Sequence, residues 1–137
     1  MTKRKMLRLL KKMPALEVSI IKWKGIKKYL IMLSLIKWKW LAKKLFASLD
    51  YKKNCALCFT VPEGKRCSEC IVGSEECNGT PYDQFSTNYY MIYYYLVYYS
   101  SKVTEKYWKF LIETAQDEID FLKSLRNGNN HELLEDK

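Results

Sequence analysis

All five cysteines of this chain fall between positions 55 and 77, in the order Cys55-x2-Cys58, Cys67-x2-Cys70 and then Cys77. Two x2 pairs are what a tetrahedral zinc site needs: each pair bends the backbone so that two sulfurs face one ion, and two pairs complete four ligands. Iron–sulfur clusters also use four thiolates, but the usual ferredoxin spacings are absent. Disulfides require an oxidising compartment, and no export signal opens the sequence. The expected cofactor is therefore one structural Zn2+, held from among Cys55, Cys58, Cys67, Cys70 and Cys77. Five thiols exceed the four that zinc usually takes. Cys55, Cys58 and Cys70 are the firmest ligands, Cys67 and Cys77 compete for the fourth place, and the spare behaves as a small buried residue. Four thiolates leave no position for water, so the site is expected to hold structure and not to catalyse. His131, the single histidine, lies in a polar closing stretch and is read as a solvated side chain.

Charge is the second chemical resource. Residues 1–54 carry 16 Lys and Arg against Glu17 and Asp50, a surplus of 14, whereas residues 55–137 carry 8 against 13 acids, a deficit of 5, within a total of +9. Such asymmetry points to nucleic acid, an anionic membrane surface or an acidic protein as partner; the plainer alternative is a solvated surface that offsets the acidic half. Lys22, Lys24, Lys27, Lys28, Lys37, Lys39, Lys43 and Lys44 can neutralise phosphates, and the interleaved Trp23, Trp38 and Trp40 can stack on unpaired bases. Helical spacing assigns Trp23 and Trp38 to a core face, which leaves Trp40 as the tryptophan expected at the surface. Lys65 and Arg66, between the two cysteine pairs, either read phosphates or compensate the negative zinc–thiolate centre.

The elements that position these groups read as one domain, mainly α. A basic lead over 1–13 ends before Pro14. One long helix over 14–52 follows, with Leu16, Ile20, Trp23, Leu30, Ile31, Trp38, Leu41, Leu45 and Leu49 on one face. Tyr29, Met32, Leu33, Ile36 and Trp40 make a second apolar face, so a second chain or a membrane is expected to cover what one helix cannot. Gly25 weakens this helix or marks a bend. Residues 53–79 form the cysteine loop. Thr80 and Pro81 suit a helix start, and a helix over 80–126 has its seam at Tyr89, Ile92, Leu96, Tyr99, Val103, Trp108, Ile112, Ala115, Ile119 and Leu122. Asn127-Gly128 suits its stop, with a polar tail over 127–137. The expected architecture is two long antiparallel helices, a helical hairpin, joined by a zinc-pinned loop.

The runs Asn54-Cys-Ala-Leu-Cys58, Cys67-x-x-Cys70 and Glu76-Cys-Asn-Gly-Thr-Pro-Tyr82 resemble a group of uncharacterised small proteins common in bacteriophages and prophages. Stretches similar to 15–24 and 115–125 frame the cysteines in that group. Ile71 stands where the group usually has Pro, and the apolar Lys/Trp stretch from about 26 to 48 is longer here. The resemblance implies a phage origin and a metal loop, and it supplies no activity.

No Ser/His/Asp or Cys/His arrangement, no phosphate-cradling glycine loop and no open metal position is present, so an enzyme is not expected. Glu113 and Asp117 read as a solvated helix face. The leading expectation is a non-enzymatic binder of nucleic acid or a nucleoprotein through the basic first half. The alternative is a phage-encoded inhibitor of a host protein, for example an anti-defence or anti-CRISPR protein, using the Tyr-rich helix. Attachment to a membrane surface through 22–46 ranks below both, because two apolar faces do not make one amphipathic surface. The spare apolar surface suits a homodimer, and the compartment expected is the cytoplasm.

Overall fold

The computed structural model describes residues 1–49, 51, 56–59, 79–99 and 105–135. They are helical almost throughout: α1 (Lys3–Leu10), α2 (Ala15–Leu35), α3 (Lys39–Ala47), α4 (Ala56–Phe59), α5 (Pro81–Tyr99) and α6 (Glu105–Glu135). The cysteine loop expected over 53–79 lies outside the described residues apart from α4 and Gly79.

The basic lead is itself a helix. The Thr2 hydroxyl accepts a hydrogen bond from the Lys5 amide at 3.2 Å and so caps α1. Met6 is its anchor, buried with Val18 of α2 and Ala56 of α4. Pro14 precedes α2 as its N-cap, and Glu17 in the first turn faces the positive end of the helix dipole. α2 passes through Gly25 without interruption.

The sequence-predicted helix over 14–52 is broken. Ile36 (φ −74°, ψ 125°) and Trp38 (φ −88°, ψ 112°) are extended, and the chain turns back into α3. The Tyr29 hydroxyl donates to the Leu45 carbonyl at 2.8 Å, tying α3 to the side of α2. No glycine or proline marks this break. Its cause is burial: α2 is apolar nearly all round, and doubling back covers Tyr29 and Ile36 with Leu45, Phe46 and Leu49 of the same chain. The cover expected from a second chain or a membrane is thus partly supplied from within.

α2 packs mainly on α6. Lys27 meets Gln116 and Glu17 meets Arg126, so ten residues forward along α2 correspond to ten backward along α6, and the two helices run antiparallel. α5 packs on α6 and closes the core. The core is aromatic. Trp23 meets Phe85 edge-on with ring centroids 5.0 Å apart, and Phe46 lies 4.6 Å from Tyr89 and 5.4 Å from Trp108. Of the predicted seam, Tyr89, Ile92, Trp108, Ala115, Ile119 and Leu122 are buried and Ile112 is half-buried. The helix expected over 80–126 is described as α5 and α6, with 100–104 outside the described residues, and α6 continues past Asn127-Gly128 to Glu135.

Candidate nucleic-acid interface and metal loop

The break at 36–38 decides which basic and aromatic side chains reach solvent. Trp23 is 4% exposed and belongs to the core, as helical spacing implied. Trp38 does not: it is 66% exposed, because the extended residues before α3 rotate it out of the stripe it would share with Trp23 on a continuous helix. Trp40 is 65% exposed. The two indoles lie nearly parallel, 13° apart with centroids separated by 6.4 Å. Leu35, 75% exposed, precedes them, and Lys37 and Lys44 are exposed beside them.

The remaining lysines divide. Lys24 and Lys28 are exposed, four residues apart on the outward face of α2. Lys39 opens α3, and Lys43 is half-buried. Lys27 is turned inward, donating from Nζ to Gln116 Oε1 at 2.6 Å, and Gln116 in turn donates to Asp120 at 2.8 Å. Lys22 is only 5% exposed. The sequence reading placed all eight on one interface; among the described side chains Lys24, Lys28, Lys37 and Lys44 face water, Lys27 and Lys43 are half-buried and Lys22 is buried. Glu113, Asp117 and Asp120 are exposed on α6, while Glu118 is buried.

Two features go beyond the sequence reading, which expected spare apolar surface and exposed tyrosines on the second long helix but not their location. The first is the outward position of Trp38, whose only local signal was the Lys-Trp-Lys-Trp alternation over 37–40. The second is a set of exposed apolar side chains gathered at one end of the helices. The α2–α6 register puts Ile31 and Leu35 level with Tyr107 and Phe110, and Phe46, in contact with both Tyr89 and Trp108, brings Tyr90, Met91, Tyr93 and Tyr94 of α5 to that end.

Buried phenols stiffen the interior behind this end. Tyr89 donates to the Phe46 carbonyl at 2.8 Å, and the Tyr51 and Ser86 hydroxyls are 2.9 Å apart. Burial pushes the Tyr51 phenol up to about 12, the Ser86 hydrogen bond opposing it in part. Burial raises the Tyr89 and Tyr29 phenols as well.

Of the predicted metal ligands, Cys58 belongs to α4, where Ala56 is buried and Leu57 packs against the main core. Cys55, Cys67, Cys70 and Cys77, together with Lys65 and Arg66, lie outside the described residues. Among the described residues no helix is long and apolar enough to cross a membrane. Comparison of the chain with protein-family models, curated proteins and solved structures finds no match.

Proposed function

We propose that this is a small, zinc-stabilised, phage-type binding protein without enzymatic activity, which contacts single-stranded nucleic acid or a nucleoprotein through its basic first half. The Trp38–Trp40 pair carries the reading. Two nearly parallel indoles stand in solvent beside Lys37 and Lys44, a combination suited to stacking unpaired bases while the ammonium groups meet the backbone phosphates. Lys24 and Lys28 extend the positive surface along α2. Cys55, Cys58, Cys67, Cys70 and Cys77 supply four thiolates for one zinc ion. Cys58 belongs to α4, whose Ala56 is buried and whose Leu57 packs against the main core. With all four positions filled by sulfur, the ion pins the chain between α3 and α5 and offers no site for reaction. The setting that fits is the host cytoplasm.

Titration of a single-stranded oligonucleotide, followed by tryptophan fluorescence, tests the reading. Affinity should fall steeply with salt, and Trp38→Ala and Trp40→Ala should each weaken it about fivefold or more, since one stacked base is worth about 1–3 kcal/mol. Binding that ignores both salt and the tryptophans sinks it. A second reading is favoured by a separate observation. Tyr90, Met91, Tyr93, Tyr94, Tyr107 and Phe110 are exposed at the same end, and aromatic residues of this kind are enriched at protein interfaces. An inhibitor of a host protein acting through that surface would form a stoichiometric complex that persists at high salt and is lost on Tyr94→Arg or Phe110→Arg.

A further inference from the structure

α1 divides into two stripes. Met6, Leu9, Leu10 and Met13 recur at three- and four-residue spacing and turn toward the body, where Met6 is buried with Val18 and Ala56 and the other three pack around them. Arg4, Arg8 and Lys11 recur at the same spacing on the opposite side, with Lys5 and Lys12 flanking them, and all five are exposed. The Leu9 carbonyl accepts from the Lys12 and Met13 amides at 2.9 and 3.0 Å, so the helical turn carries on past Leu10 and keeps Lys11 in the stripe. The first acid of the chain is Glu17, which Arg126 engages. Among the described residues none of the five cations is in an ion pair. Residues 1–13 also contain no aromatic ring.

From this arrangement we infer that the outward stripe of α1 is a docking surface for the phosphate backbone of a nucleic-acid duplex. A row of cations without acidic partners, carried on a docked helix, matches a regular polyanion, because each neutralised phosphate releases condensed counterions. Arg4 and Lys11 are about 10 Å apart along the helix axis, close to the roughly 12 Å width of a major groove bounded by phosphate backbones. The lack of a ring decides between forms of the polymer. Nothing on α1 can stack an unpaired base, whereas a duplex keeps its bases stacked internally and presents its phosphates outward. The buried stripe decides against a membrane: an interfacial helix inserts its apolar face, and that of α1 is already occupied by Val18 and Ala56. The inference builds on the nucleic-acid reading but uses a different surface from Trp38 and Trp40, which follow the far end of α2, about 25 Å of helix axis beyond Val18.

The test is titration of the full chain against a short, blunt, end-labelled DNA duplex across a salt series, read by fluorescence anisotropy. Arg8→Gln/Lys11→Gln should weaken binding about tenfold or more and lower the slope of log affinity against log salt by about two, since each lost phosphate contact removes about 0.9. Glutamine is a good helix former, so the circular dichroism of this variant should match that of the parent. Lys106→Gln/Lys109→Gln removes the same charge from exposed positions on α6 and should change affinity less than about twofold, because salt screens charges away from the contact. Phosphatidylglycerol vesicles and polyglutamate should compete only weakly with the duplex. The Trp38→Ala/Trp40→Ala protein should hold the blunt duplex as the parent does, so the single-strand reading and this one fail separately. No duplex binding at low salt, equal losses in the two lysine and arginine variants, or an unchanged salt slope overturns the assignment. So does full competition by vesicles or polyglutamate, or loss of duplex binding with the tryptophans.

Discussion

At the scale of single residues, the chain separates its tryptophans by solvent. Trp23 and Trp108 are buried and Trp38 and Trp40 are open. Iodide should therefore quench part of the tryptophan emission. Trp38→Phe and Trp40→Phe together should remove that part, leaving only the shielded component. Residue-scale electrostatics lies in the buried phenols. In the unfolded chain Tyr51 loses its proton near pH 10, and in the fold it keeps it to about 12. Below pH about 10 both states are protonated and the contribution to stability is complete. As pH rises toward about 12 the folded state holds a proton that the unfolded state has released, so stability falls. Tyr89 acts in the same direction. Urea midpoints should drop between pH 9.5 and 11.5, and the Tyr51→Phe/Tyr89→Phe double variant should flatten that drop.

Among the elements, the turn at 36–38 has the largest consequence, because α3 brings Phe46 into the core. Phe46 is fully buried against Tyr89 and Trp108, and Phe46→Ala should cost about 3–5 kcal/mol in urea unfolding. A loss below about 1 kcal/mol would mean that α3 does not pack there. α1 is held differently, with one buried side chain of its own, Met6, at a satellite cluster. Met6→Asp should release α1 alone: amide protection over 3–10 should vanish while the α2–α6 pair stays protected. The Glu17–Arg126 pair, 3.0 Å apart and about one-third exposed on each side, is screened by water and serves register more than stability.

On the scale of the whole molecule, a zinc ion pinning the chain between α3 and α5 would tie together elements that share the aromatic core. Native mass spectrometry should find one zinc per chain and report the oligomeric state. If zinc is bound as proposed, chelation should lower the thermal midpoint by several degrees, because the ion would bind the folded chain in preference to the unfolded one. A metal-free protein with its thiols paired as disulfides would end the zinc reading. The exposed apolar end formed by α2, α5 and α6 is the surface on which a second copy would act, and its dimer would appear in the same spectrum.

Helical class and most of the buried seam were legible in the residues alone. Leu16, Ile20, Trp23 and Leu30 on α2, and Trp108, Ala115, Ile119 and Leu122 on α6, recur at the period of a helix, and that period is a local property of the chain. The end of α2 was not legible. Leu35-Ile36-Lys37-Trp38 contains neither glycine nor proline, and the chain turns there because an all-round apolar helix gains more by being covered from a third side. From that turn follow the outward Trp38 and the core position of Phe46. The burial of Lys22 and the inward turn of Lys27 have the same origin: eight lysines in one stretch read alike, and neighbours distant in sequence determine which of them keep their water.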